Sequence, residues 1–389
     1  MTRYVIIGGG IAGTTAAGEI RAREADAQIT VVSEEQHPLY SRVLLPHYIK
    51  GKIPREKCFL KKDSWYEEQR VEWFRAERVV AIDAVNKHVE LLHAGRELPY
   101  DKLLITTGGE PHYLERDLRG LCYLQTLEDA DHLLQLLGEV RGKPDAHAGV
   151  CGGGFIACEF LNIFKHFGLS TTCFHRGPWF WSRVLDEESG GLIAQTLEAS
   201  QVKTQANTTL ADIHGEHGLS EVETSSGLFR ADILGIGIGL LRDLRWIQKA
   251  GIETAAGVRT NAYLETSVAD VYAAGDICEH FDVVTGEHML VGNYMNAQMQ
   301  GRTAARNMMG DQEEFRLVSG YATHIFELDV IFVGDTRRAL ADEILVKGRV
   351  PDGYVVQEFK RKGRLVGATL VGGNKDRMEL TRRIQAQLP

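Results

Sequence analysis

Paired cysteines are missing from this chain. Its six cysteines, Cys58, Cys122, Cys151, Cys158, Cys173 and Cys278, never fall in a CxxC spacing, so neither a zinc ribbon nor a thioredoxin-type redox pair is written here. The fourteen histidines form no HxxxH or HExxH pattern. His214 and His217 of "HGEHG" read as a solvated Gly-rich turn, and no metal site is expected. A basic excess is lacking too: a net charge of −9 argues against nucleic acid, which asks for a basic face. No apolar run reaches the ~20 residues that span a bilayer, so no membrane insertion is expected. "RYVIIGGG" starts a strand at residue 3 with no leader-like region before it, and the expected location is cytoplasmic.

What the chain has is glycine in ordered places. At 389 residues it is too long for one core, and two or three domains are expected. "YVIIGGGIAGTTAAGEI" reads as a buried strand, a tight turn and a helix, with Gly8, Gly10 and Gly13 in the GxGxxG pattern. Such glycines allow the turn, a bare backbone beside a pyrophosphate, and close helix-to-sheet packing. The helix start then offers free N–H groups to phosphate. Ala12, Ala16 and Ile20 recur at helical spacing on the face that packs down. A second strand, "QITVVSEE", ends at Ser33, Glu34 and Glu35, about 20 residues beyond the last glycine, where an acid binds a ribose. Glu34 is the candidate.

The pattern returns in "AGVCGGGFIACEF", with Gly152, Gly154 and Ala157 at the fingerprint positions. Phe160, Ile163, Phe164 and Phe167 mark the apolar stripe of its helix, and Gly168 is the predicted residue just past its end. The next strand, "STTCF", runs into "HRGPWFW". Where a ribose-binding acid is expected, the chain writes His175 and Arg176, then Trp179, Phe180 and Trp181. Two further strands run into glycine: "YDKLLITTGGEP", with Thr107, Gly108 and Gly109, and "VYAAGD", with Gly275 and Asp276. Either could be an ordinary strand-to-loop transition. Either could also bring backbone and a hydroxyl-binding carboxylate to a ligand.

With "GGGIAG", "TTGGEP", "GGGFIACE" and "YAAGD" in that order, the chain resembles the FAD-dependent pyridine nucleotide:disulfide oxidoreductase superfamily along essentially its whole length. The resemblance implies an α/β fold with two dinucleotide-binding (Rossmann-like) domains, the second inserted in the first, and a small α+β C-terminal domain. The implied boundaries are 1–111 and 233–312 for FAD, 112–232 for NAD(P), and 313–389 for the C-terminal domain. "GYVVQEFKRKGRLVGATLVGG" agrees, reading as a hairpin around Lys362 and Gly363 before a helix in "KDRMELTRRIQAQL". The implied FAD contacts are Gly8, Gly10, Ile11, Ala12, Gly13, Ser33, Glu34, Arg42, Val79, Thr107, Gly108, Gly275 and Asp276, the last on the ribityl chain. Those implied for the nicotinamide nucleotide are Gly152, Gly154, Phe155, Ile156 and Arg176.

"LYSRVLLPHYIKGK" narrows the resemblance. Relatives with thiol chemistry carry a cysteine that falls here on Val43, and valine cannot be a thiolate nucleophile. The wording is similar to rubredoxin and ferredoxin reductases and to the flavoprotein segment of NAD(P)H nitrite reductases. In the reductases a lysine at the position of His47 reaches the flavin and pairs with a glutamate at the position of Glu159. A His47–Glu159 pair with a raised histidine pKa is therefore expected. Two departures touch the inserted domain: the missing acid before Arg176, and Leu240–Leu241 where a Pro-Asn pair is usual. The implied function is passage of electrons from NADH or NADPH through FAD to a rubredoxin, a ferredoxin or a partner reductase subunit. The alternative is an electron-transfer, oxidase or small-molecule flavoprotein whose inserted domain no longer binds a nicotinamide. His175 and Arg176 favour acceptance of NADPH at least as well as NADH. Oligomeric state stays open.

Overall fold

Short apolar runs such as "YVII", which leads into a glycine turn, are the length of buried parallel strands. The computed structural model describes residues 1–373 and 377–387 and gathers these strands into two compact units.

The first unit comprises Met1–Val43, Arg55–Glu110 and Leu241–Leu317. Its five-stranded parallel sheet runs in the order Val271–Ala273, Lys102–Ile105, Arg3–Ile7, Gln28–Val32 and Val71–Phe74. Ile6, Val31, Leu103, Leu104 and Ile105 are fully buried, as strands covered on both faces require. The Ile11–Arg23 helix buries Ala12, Ala16, Ala17 and Ile20. It packs on the Tyr294–Met308 helix at Gly301, where a Cβ would fall 2.2 Å from the Ala12 carbonyl oxygen. A three-stranded antiparallel sheet, Val79–Asp83, His88–Leu91 and Glu97–Pro99, belongs to the same unit.

The second unit comprises Leu44–Pro54, Pro111–Leu240 and Val318–Pro389. Its parallel sheet is ordered Lys203–Gln205, Ser170–Phe174, His147–Cys151, Ile233–Ile236 and Leu121–Cys122. The Phe155–His166 helix buries Phe160, Ile163 and Phe164 against it. That helix ends in a Schellman turn: Gly168, at φ +72°, donates to Lys165, and Leu169 donates to Phe164. An antiparallel sheet follows, ordered Gly320–Ile325, Leu328–Gly334, Arg364–Val371, Val355–Arg361 and Glu343–Lys347. Its central hairpin turns at Lys362 and Gly363, both at positive φ as a type I′ turn demands. The Arg377–Gln385 helix closes the chain; residues 375, 376 and 388 of the segment read as this helix lie outside the described residues.

The units differ from the boundaries read in the sequence. Ile233–Ile236, placed there with the returning FAD domain, is a strand of the second sheet, locked against its helix because a Cβ on Gly235 would lie 2.5 Å from the Phe160 ring. The C-terminal sheet and residues 44–54 also cluster with the second unit. No helix among the described residues is long and apolar enough to cross a membrane.

Candidate functional site

In the first unit the glycine turn is dictated by contact. Gly8 sits at φ +114°, and a Cβ there would lie 2.4 Å from the Thr106 carbonyl oxygen. A Cβ on Gly13 would lie 2.1 Å from the Gly8 oxygen. Gly10 is the opposite case, with nothing within 4 Å of the Cβ position. It precedes the helix as an N-cap that supplies no side chain. Open ground therefore borders the first-turn amides of Ile11, Ala12 and Gly13, which have no carbonyl partner inside the helix. A phosphate fits that need. Thr106 Oγ1 ties the turn down, donating to Ile7 and Gly8 at 2.9 and 3.0 Å. Its neighbour Thr107 is exposed, and Gly108 beside it is open at φ +70°.

The two acids after the second strand diverge. Ser33 is buried, and its Oγ would lie 2.8 Å from a Cβ on Gly9. Glu34 is exposed at the rim and pairs with Arg78 at 3.3 Å. Glu35 turns inward, accepting hydrogen bonds from Tyr40 and from the Arg42 guanidinium. Arg42 lies 5.1 Å from the Tyr40 ring centroid, and its charge acts on the Asp276 carboxylate. Val79 is buried at the start of the side sheet.

Asp276 follows Gly275 in the turn after the Val271–Ala273 strand. Burial pushes its carboxyl pKa up, and Arg242 and then Arg42 pull it back down. Gly275, at φ +83°, donates its amide to Gln300 Oε1 at 2.8 Å. Gln300 Nε2 in turn lies 3.1 Å from His280 Nδ1. Arg242 Nε donates to the Asp276 carbonyl oxygen. Sequence reading singled out neither Gln300, His280 nor Arg242, because each meets this turn only through the tertiary fold. An uncapped helix start, an open glycine and a carboxylate flanked by two cations suit the phosphates and polyol of a flavin dinucleotide.

The second unit repeats the turn. Gly152 sits at φ +132°, and a Cβ there would lie 2.2 Å from the Gly237 oxygen. Ala157 fits at the third position because the facing residue is Gly237, whose own Cβ would lie 2.9 Å from the Ala157 amide nitrogen. Ile156 lines the same contact and is half-buried. Gly154 caps the helix without a side chain, and Trp181 Nε1 lies 3.9 Å from its Cβ position. Trp181 holds a left-handed backbone, φ +47°, and donates its amide to Gly153 at 3.1 Å. The Phe155 ring meets Trp181, Tyr321 and Phe332 at centroid distances of 5.1, 4.9 and 5.4 Å.

The other residues of "HRGPWFW" divide between core and solvent. His175 is buried with Nδ1 2.8 Å from the Gly177 oxygen, and burial lowers its pKa, so it stays neutral. Phe180 packs on it, and Trp179 donates to Leu185 at 3.0 Å. Arg176 is exposed.

His47 lies on the short Leu45–Ile49 helix, and its Nδ1 is buried without a hydrogen-bond partner among the described residues. Its pKa is lowered, by burial first and then by Lys50, Lys52 and His324. The expected rise is thus reversed, because the charges acting on it are cations. Glu159 is raised by burial and drawn down by Lys50 and His324. Its counter-charge is Lys50, one helical turn beyond His47. Val43, the position to which the resemblance assigns a thiol, is 60% exposed. All six cysteines are buried outside any disulfide, and burial pushes the thiols of Cys151 and Cys278 up to about 12.

The sequence profile of the family described as "Pyridine nucleotide-disulphide oxidoreductase" matches residues 2–301. Nitrite reductase [NAD(P)H] of Bacillus subtilis is 26% identical over 392 residues, covering 99% of this chain and 47% of that protein. The chain thus spans about half the length of that relative. The anthranilate 1,2-dioxygenase system ferredoxin–NAD(+) reductase component of Burkholderia cepacia is 28% identical over 379 residues, covering 96% and 91%. A ferredoxin reductase structure from Rhodopseudomonas palustris superposes with a TM-score of 0.87 at 24% identity, covering 97% of this chain and 93% of the other, and shares the fold.

Proposed function

This chain belongs to the pyridine nucleotide-disulphide oxidoreductase family, FAD-dependent enzymes that use NADH or NADPH, and we propose that it delivers electrons from the nicotinamide to a protein carrier. A ferredoxin, a rubredoxin or a partner reductase subunit is the proposed acceptor, by likeness to the ferredoxin reductase component and the nitrite reductase. The observation that carries this reading is the absence of a usable thiol: Val43 stands at the thiol position and every cysteine is buried. FAD, when bound, accepts a hydride and can release electrons singly.

The residues proposed to hold it are those of the first unit. The Gly8–Gly13 turn and the Ile11 and Ala12 amides take phosphate, Glu34 takes the ribose hydroxyls from the rim, and Asp276 takes the polyol. Ser33, Arg42, Val79, Thr107, Gly108 and Gly275 shape their surroundings. Gly152, Gly154, Phe155, Ile156 and Arg176 are proposed for the nicotinamide nucleotide. Glu159 holds a proton more readily than an ordinary glutamate, with Lys50 rather than His47 as its cation. Buried cysteines outside any disulfide suit a reducing compartment, and we place the protein in the cytoplasm.

A second reading is favoured by Trp181 and the rings around Phe155, which crowd the second glycine turn: the inserted unit then admits no nicotinamide. Steady-state NADPH and NADH oxidation with ferredoxin, rubredoxin, a disulfide and peroxide as acceptors separates the readings. The proposal expects turnover with a carrier protein. Turnover with the disulfide alone, or with no acceptor at all, would refute it.

A further inference from the structure

Among the described residues, the charges of Arg242 and then Arg42 act on the Asp276 carboxylate. They are not equivalent. Arg42 is already neutralised by Glu35 and lies against Tyr40. Arg242 makes no ion pair with any other carboxylate among the described residues, and its one hydrogen bond there goes from Nε to the Asp276 carbonyl oxygen. Behind the turn, His280 is neutral, its pKa lowered by burial to about 4, and it reaches Gly275 only through Gln300. Gly292 faces the Asp276 carboxylate with nothing but backbone; a Cβ there would lie 3.3 Å from Oδ2. A planar guanidinium held at Nε keeps its remaining N–H groups in a fixed plane. A buried carboxylate accepts hydrogen bonds from hydroxyls well only while ionised, and burial opposes ionisation.

We infer that Arg242 is a positioning residue for the polyol of FAD: it pins the Asp276 main chain through its carbonyl and keeps an unshared cation beside the Asp276 carboxylate. The inference rests on the proposed FAD site. It assigns to Arg242 the task of keeping Asp276 charged, which Arg42, shared with Glu35, does only in part.

The test is FAD retention against pH, read by the fluorescence of released flavin, in wild type, Arg242→Leu, Arg242→Lys, Asp276→Asn and the double variant Arg242→Leu/Asp276→Asn. Arg242→Leu is expected to weaken FAD binding roughly tenfold near neutrality, about the worth of one charge-assisted hydrogen bond. Its acid limb of FAD release should move to higher pH, because Asp276 then protonates sooner. Arg242→Lys should keep that limb near its wild-type position, and it also serves if the leucine variant folds poorly. The double variant should lose less than the sum of the two single losses, because the charge that Arg242 supports is already gone. An unmoved acid limb in Arg242→Leu, or losses that add in the double variant, would overturn the role of Arg242 while leaving the site reading intact. Asp276→Asn that holds FAD as tightly as wild type at every pH would strike the site reading itself, and this inference with it.

Discussion

Gln300 Nε2 donates to His280 Nδ1 across 3.1 Å, while its Oε1 takes the Gly275 amide at 2.8 Å. For Nδ1 to accept, the imidazole must be neutral with its proton on Nε2. Burial enforces this, lowering the His280 pKa from 6.5 to about 4. A depressed histidine pKa contributes stability that is complete above the unfolded value and lost as pH falls through the folded one. Thermal unfolding of the apoprotein should therefore show a loss between pH 6.5 and about 4 that is smaller in His280→Asn, still able to accept. An equal acid slope in both proteins would contradict this.

The second glycine turn carries a prediction about access. Trp181 pairs a left-handed backbone, uncommon for so large a residue, with a ring beside Gly154 and Phe155. Trp181→Ala should lower the KM for the nicotinamide nucleotide roughly three- to tenfold, a change of about 1 kcal/mol for one displaced side chain, with less effect on kcat. Unchanged KM would mean that the ring does not compete with the ligand.

Arg176 bears on cofactor choice. It is exposed where an acid would repel an extra phosphate, and neighbouring His175 is buried and neutral. A charged hydrogen bond contributes about 1.5–3 kcal/mol. Arg176→Ala should thus raise KM for NADPH roughly ten- to a hundredfold and leave NADH almost untouched. A strong NADH preference that ignores the substitution would show that Arg176 only faces solvent.

Stability of the second unit can be probed at Glu358, whose side chain is 3% exposed. It takes a two-pronged bond from Arg383, at 3.0 and 2.9 Å, and one from Lys347 at 2.9 Å. Arg383 and then Lys347 hold its pKa down from 4.5 to about 2. A depressed carboxylate contributes stability that is present above its unfolded value and lost as pH falls toward the folded one. Glu358→Gln should cost roughly 2–3 kcal/mol at neutral pH and less as the pH approaches 2, measured by denaturant unfolding. A cost that does not change with pH would point to lost packing instead.

Local needs were legible in the sequence, and long-range partnerships were not. Gly8, Gly13 and Gly152 announce themselves because the turns they make admit no side chain. The Lys362–Gly363 turn and the Gly168 helix stop are likewise written within a few residues. Glu34 and Glu35 are adjacent and chemically alike, and only Tyr40 and Arg42 decide which turns inward. The cations acting on Glu159, Lys50 and His324, are assigned by no motif and could not be named from the sequence. Ile233–Ile236 reads as any buried strand; its neighbour, His147–Cys151, assigns its sheet.

The most direct test of thiol-free electron delivery is anaerobic. Native, FAD-loaded protein is treated with a thiol-alkylating reagent, mixed with NADPH or NADH, and then given an oxidised ferredoxin or rubredoxin, with flavin and carrier absorbance followed together. The predicted result is bleaching of the flavin by NADPH at a rate alkylation does not change, then return of its colour as the carrier is reduced. Failure of both nucleotides to bleach the flavin, or bleaching abolished by alkylation of a protein that stays folded, would contradict it.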